Sequence, residues 1–218
     1  MRLHLIRHGQ TGSNVLAALD TAAPGAPLTE QGVRQARAVG AVLAQEPLDA
    51  VYASTLDRAR ATAAEVARPH GLDVQVREGL REILAGDLEM RTDRGSVEQY
   101  LGTMVAWATG DLDARMPGGE SGRSTLERFD AVVAEILSSG ARTAAAVSHG
   151  AMIRFWAITR AANLDPRTAG DRWLDNTGVV TLEHDGRGTW SAVRWQDEAV
   201  PHPSPAAGDG PGGEPLPV

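Results

Sequence analysis

The sequence predicts an α/β protein: a mainly parallel sheet covered by helices, with a helical insertion over one end. Three observations carry this. Short apolar runs of strand length alternate with longer runs of helical period, the pattern of a helix-covered sheet. Two of the short runs end in the same dipeptide, His-Gly, and lead into helical segments. The 218 residues, 42% of them apolar, suffice for one packed core and are too few for two large ones.

Taken in order, Leu3 to Ile6 is a buried strand. Thr29 caps a helix that carries Val33, Ala36, Val39, Gly40 and Leu43 on one face. A strand spans Ala50 to Ala53, and a helix runs from about Thr55 to Arg68, stopped by Pro69 and Gly71. Val74 to Val76 forms another strand. From about 86 to 122 the alternation is lost. This segment, with Tyr100, Met104 and Trp107, reads as an insertion containing a helix near Val97 to Ala108. Ser124 and Glu127 match a capping box ahead of a helix with Phe129, Val132, Val133, Ile136 and Leu137 on one face. Ala144 to Val147 is a small-residue strand, followed by a helix from about Ala151 to Ala162. Val179 to Leu182 and Trp190 to Trp195 make a closing hairpin around Asp185–Gly188. Residues 1–200 thus read as a single domain. Residues 201–218, rich in Pro and Gly, read as a disordered tail.

Composition narrows the function classes. A formal charge of −7 argues against a partner bound by phosphate neutralisation along nucleic acid. With no cysteine, disulfides, thiolate metal sites and a cysteine nucleophile are excluded. No apolar run approaches the roughly 18 residues of a membrane helix, and Arg7 comes too early for a signal peptide. A cytoplasmic protein without a membrane partner is expected.

Two strands finish alike, as Leu5-Ile6-Arg7-His8-Gly9 and Ala146-Val147-Ser148-His149-Gly150. Ligands of open α/β sheets bind beyond the carboxyl ends of strands. If the two strands are neighbours, the imidazoles of His8 and His149 lie about one strand spacing apart, roughly 5 Å. Glycine after each histidine permits a sharp turn and leaves room for a ligand, and the helix starts that follow favour an anion. Arg7 adds a guanidinium that grips two phosphate oxygens at once. Arg58 falls in the first turn of a helix, where the dipole disfavours a cation, so it should turn toward a compensating anion. Two arginines and a protonated histidine would then surround a phosphoryl dianion while a neutral histidine attacks phosphorus.

At this point Arg7-His8-Gly9-Gln10-Thr11 with Asn14, the segment Ser54/Leu56/Arg58/Ala59/Thr62, and Ser148-His149-Gly150 together resemble the histidine phosphatase superfamily, specifically its phosphoglycerate-mutase-like branch. The resemblance runs from Met1 to about Trp195. It implies a three-layer α/β/α sandwich with His8 as the nucleophile. Arg7, Arg58 and His149 would hold phosphate, Asn14 would be a further phosphate-loop contact, and no metal or other cofactor would be needed. It also implies a proton donor after the third strand, where Glu82 stands; Glu78, Asp87 and especially Glu89 are rivals. Such a donor must be protonated in the first step, so its pKa should be raised.

The sequence departs from the family pattern in two places. Asp87-Leu88-Glu89 lacks the aromatic residue many relatives carry before the glutamate, and Asp20 to Leu28 lacks the usual substrate-loop pattern. Ile83-Leu84-Ala85 replaces the charged and aromatic run by which mutases seat phosphoglycerate. The expected function is therefore a phosphomonoester hydrolase acting on a small phosphorylated metabolite, possible as a homodimer. A phosphoglycerate mutase is the alternative within enzymes, and a non-catalytic phospho-ligand-binding module the alternative outside them.

Overall fold

A computed structural model of the chain describes residues 1–168 and 172–200; the expected tail, 201–218, lies outside them. In chain order the elements are β1 (Arg2–Arg7), α1 (Gly12–Val15), α2 (Glu30–Leu43), β2 (Ala50–Ala53), α3 (Asp57–Ala67), β3 (Val74–Val76), α4 (Arg94–Ala108), α5 (Gly122–Ser138), β4 (Thr143–Ser148), α6 (Gly150–Arg160), β5 (Val179–His184), β6 (Trp190–Trp195) and β7 (Glu198–Ala199). The strands form one sheet in the order β3-β2-β4-β1-β5-β6-β7. The four strands from β3 to β1 are mutually parallel, and β5, β6 and β7 are added antiparallel.

Alternation along each parallel strand divides the core into two layers. Leu3, Leu5, Ala144 and Ala146 face one cluster, which α4, α5 and α6 cover with Trp107, Phe129, Phe155 and Trp156. Ile6, Ala145 and Val147 face the other, which α2 and α3 cover with Val39, Leu43, Ala63 and Val66. The strand β4 is small-residued because it is fully buried on both faces between β1 and β2. The expected sandwich is thereby the observed one.

Two expectations shift. The helix α5 begins a turn earlier than the Ser124/Glu127 pair suggests, because Ser121 is the N-cap and completes a capping box with Ser124. Gly122 lies under the Trp107 ring, 2.6 Å from where a Cβ would sit, so the extra turn packs against α4. The short strand β7, which carries no apolar periodicity, pairs only with the end of β6. Among the described residues, no helix is long and apolar enough to cross a membrane.

Close packing of α2 on α3 yields a paired test. A Cβ on Gly40 would lie 2.4 Å from the Glu65 carbonyl oxygen, whereas one on the exposed Gly102 of α4 meets nothing within 4 Å. Gly40→Ala is expected to destabilise the fold by about 1–3 kcal/mol through overpacking. Gly102→Ala should stabilise it by about 0.5–1 kcal/mol. Urea unfolding of the two variants measures both; equal shifts would contradict the packing.

Candidate active site

Parallel pairing of β1 with β4 sets Arg7 opposite Ser148. The next residues, His8 and His149, therefore leave the sheet side by side, and their ring centroids are 5.1 Å apart. The glycines that follow serve close approach more than turning, since neither takes a positive φ. A Cβ on Gly9 would stand 2.5 Å from the Gly32 carbonyl oxygen at the start of α2, and one on Gly150 would press the Arg7 Nε at 3.0 Å. Their role is to admit a neighbouring backbone and a guanidinium.

The His8 ring is almost fully buried. Its Nδ1 lies 2.7 Å from the Gly9 carbonyl oxygen. A carbonyl only accepts, so Nδ1 carries the proton and Nε2 presents a lone pair. Arg58 Nε donates to that Nε2 at 3.0 Å. Burial, then the charges of Arg58 and Arg7, hold His8 well below the ordinary imidazole value. His149 is likewise held well below it, by burial first and then by His8 and Arg58. In the anion-free site, burial and the nearby guanidinium groups thus oppose a proton on either ring; the protonated histidine expected from the sequence concerns the site with a phosphoryl dianion bound.

The segment that begins α3 supplies the rest of the inner site. Ser54 Oγ is 2.8 Å from His149 Nε2, and Thr62 Oγ1 accepts from Gly9 N at 3.0 Å. Leu56 and Ala59 are fully buried and fix the segment in the core. Arg58 is buried beside Asp20: Nη2 donates to the Asp20 carbonyl oxygen at 2.6 Å, and Nη1 lies 3.6 Å from Oδ1. The compensating anion inferred for Arg58 is therefore Asp20. Asp57, its neighbour in sequence, pairs with Arg60 instead. Arg7 Nη1 donates to the Leu174 carbonyl oxygen at 2.7 Å. Arg7 Nε, Arg58 Nη1 and His149 Nδ1 are buried and find no hydrogen-bond partner among the described residues.

Glu82 is buried in the same cleft. Its Oε1 accepts from Ile83 N and Met152 N, both at 2.9 Å, and its Oε2 accepts from Ala151 N at 3.3 Å. The helix start beyond β4 therefore receives this carboxyl group. Burial raises the Glu82 pKa above the carboxylate norm, against the opposing pull of these N–H donors and of Arg58. Arg128 of α5 clamps the loop by donating to the carbonyl oxygens of Gly79, Arg81 and Glu82. It is held in turn by Glu120 at 2.7 Å, which gives the Gly118–Ser121 segment a purpose beyond turning. The rivals lie elsewhere. Glu78 pairs with Arg81. Glu89 accepts from Thr21 N at 2.8 Å, from Ala22 N at 3.0 Å and from the Thr21 hydroxyl, tying down the loop after α1.

Asn14 lines the cleft. Its Oδ1 accepts from Thr11 N and from Asn176 Nδ2, both at 3.1 Å, which directs its amide nitrogen elsewhere. Asn176 also donates to the His8 carbonyl oxygen. The whole cleft, about 400 Å³, is lined by Arg7, His8, Asn14, Arg58 and Glu82 together with residues that sequence reasoning had not assigned, among them Asp20, Arg154 and Trp173. His149 is wholly buried and is not among the residues that line the cleft. His4, four residues before His8, is apart from this site: its Nδ1 is 3.0 Å from Thr181 Oγ1, and burial pushes it down to about 4. Among the described residues, no three His, Asp or Glu side chains cluster as a metal site.

Comparison with known proteins agrees with this geometry. The model of the histidine phosphatase superfamily (branch 1) matches residues 3–198. Adenosylcobalamin/α-ribazole phosphatase of Salmonella typhimurium is 34% identical over 136 residues, covering 62% of this chain and 67% of that protein. A probable phosphoglycerate mutase GpmB of Salmonella choleraesuis is 32% identical over 152 residues, covering 69% and 70%. Among solved structures, mycobacterial glucosyl-3-phosphoglycerate phosphatase complexed with VO3 superposes with a TM-score of 0.76 at 28% identity, over 89% of this chain and 98% of that one. Phosphoserine phosphatase of Entamoeba histolytica in complex with 3-phosphoglyceric acid gives 0.73 at 26%, over 89% and 96%.

The neutral state of the two rings is directly measurable. An ordinary imidazole, with a pKa near 6.5, is about 90% protonated at pH 5.5. In anion-free protein, nitrogen-15 NMR should show His8 and His149 still neutral at that pH. Added inorganic phosphate should raise the His149 pKa, because a bound anion favours its protonated form. Ordinary titration of both rings in the absence of anion would contradict the burial argument.

Proposed function

The chain belongs to branch 1 of the histidine phosphatase superfamily, and from that premise we propose that it hydrolyses phosphomonoesters by way of a phosphohistidine at His8. The observation that carries the reading is the set of buried nitrogens Arg7 Nε, Arg58 Nη1 and His149 Nδ1, which have no hydrogen-bond partner among the described residues. Buried polar atoms of this kind ordinarily find a partner, and a phosphoryl group offers three oxygens to satisfy them.

In the first step the His8 Nε2 lone pair forms a bond to phosphorus as the ester P–O bond breaks. The departing alkoxide takes the proton of Glu82. Arg7, Arg58 and His149 stabilise the charge spread over the non-bridging oxygens, and Asn14 contributes its amide nitrogen. Arg58 Nε leaves Nε2 for a phosphoryl oxygen as substrate enters, unmasking the nucleophile. The Nδ1–H bond to Gly9 holds the reactive tautomer throughout. In the second step Glu82, now ionised, takes a proton from water as the water oxygen bonds to phosphorus and the P–N bond breaks. Inorganic phosphate and neutral His8 are regenerated. Burial of Glu82 suits this double duty, since it keeps the proton available above the usual carboxylate range.

Water fits the role of acceptor better than a second phosphoglycerate. Ile83 and Ala85 after Glu82 are fully buried, and none of residues 83–85 lines the cleft, so this stretch offers no donors to a substrate carboxylate. A non-catalytic binding module would have no use for a carboxyl group of raised pKa and an imidazole of lowered pKa in one pocket.

Kinetics of two variants test the roles. His8→Ala should abolish phosphate release. Glu82→Gln should lower kcat/KM by about 10²- to 10⁴-fold for alkyl phosphates, and far less for p-nitrophenyl phosphate, whose leaving group needs no proton. In wild type, kcat/KM should fall as rising pH passes through the Glu82 pKa, which burial sets above the usual carboxylate range, and this limb should vanish in Glu82→Gln. On the acid side activity should persist below pH 6, since His8 resists protonation. Turnover surviving in His8→Ala, or an equal loss for both leaving groups in Glu82→Gln, would refute the assignments. Interconversion of 3- and 2-phosphoglycerate at a rate matching phosphate release would favour the mutase reading.

A further inference from the structure

Resting on the phosphatase reading, we propose that the substrate class is a phosphomonoester whose alcohol carries an apolar body, seated against α4 beyond the phosphate-binding residues. The cleft has two ends of different chemistry. Its inner end holds Arg7, His8, Arg58 and Glu82, and its outer wall is built from Leu19, Val97, Leu101, Trp173 and the ring of Tyr100. The Tyr100 hydroxyl donates to the Ile83 carbonyl oxygen at 2.9 Å, which leaves its ring as the part that contributes to the wall.

Leu101 and Trp173 are 36% and 59% exposed at the mouth of the cleft. A continuous apolar surface kept in water at a binding site marks what the site is built to cover. The wall also continues. Leu101 and Arg154 are shared with a second niche of about 70 Å³ between α4 and α6, formed by Met104, Val105, Phe155 and Ile158. Leu101 and Arg154 thus separate the cleft from a neighbouring apolar niche in the groove between the two helices.

A cation stands on this wall. Arg154 holds its guanidinium 5.5 Å from the centroid of the Trp173 ring, and the neighbouring lining offers carbon several side chains to cover. The Arg154–Trp173 stack itself presents a flat, weakly hydrated face suited to an aromatic or alkyl body.

A homologous series of n-alkyl phosphates from ethyl to octyl isolates this effect, because the leaving alcohols differ little in basicity and the chemical step is held constant. With the purified full chain, kcat/KM is expected to rise about two- to fourfold per added methylene until the wall is filled. Glycerol 3-phosphate and 3-phosphoglycerate should fall well below hexyl phosphate. Leu101→Gln, similar in size but polar, should flatten the chain-length dependence. A flat series with measurable turnover, or a preference for 3-phosphoglycerate, would overturn this proposal and leave the phosphatase reading standing. Failure to hydrolyse any of these esters would overturn both.

Discussion

The site depends on keeping one imidazole dry and neutral in the midst of cations. Water would solvate a protonated His8 and blunt its nucleophilicity at mildly acid pH. The fold instead encloses the ring, binds Nδ1–H to the next residue's carbonyl and aims the Arg58 guanidinium at Nε2. Each guanidinium that would later hold phosphate also raises the cost of protonating His8. In the proposed reaction, one set of charges would prepare the nucleophile before substrate arrives and stabilise the transferred group afterwards.

A second balance governs Glu82. Three backbone N–H groups, two of them at the start of α6, favour its ionised form, while burial favours the protonated one and prevails. A carboxyl group near this balance point can give a proton and take one back in successive steps, which a fully solvated or fully apolar setting would not allow. The Arg128 clamp fixes where this happens by grasping three carbonyl oxygens of the loop. The clamp itself is a partly buried ion pair with Glu120, so α5 would support the proposed chemistry without reaching the cleft.

Much of this was legible in the sequence because it is local. Strand alternation, the Thr29 cap and the repeated His-Gly endings depend on neighbouring residues, and the structure reproduces β2 and β3 to the residue. What escaped is non-local. Asp20 as partner of Arg58 and Arg128 as clamp act across 38 and 46 positions, with no motif to announce them. The Ser124/Glu127 pair misplaced the start of α5 because packing of Gly122 under Trp107 added a turn. The depth at which His149 is buried is likewise not revealed by sequence pattern. The apolar outer wall was hidden in the same way, since Leu101 and Trp173 read as ordinary hydrophobic residues until the fold left them facing a cleft.

The central claim is that Nε2 of His8, neutral and paired with Arg58, is the atom that accepts phosphorus. Rapid quenching during turnover into alkaline conditions, which preserve phosphoramidates, followed by peptide mapping and NMR of the adduct, would locate the phosphoryl group. The account predicts a stoichiometric, acid-labile phosphate on His8, bonded at Nε2. Phosphate found at Nδ1 or on His149, or turnover with no covalent adduct at all, would contradict it.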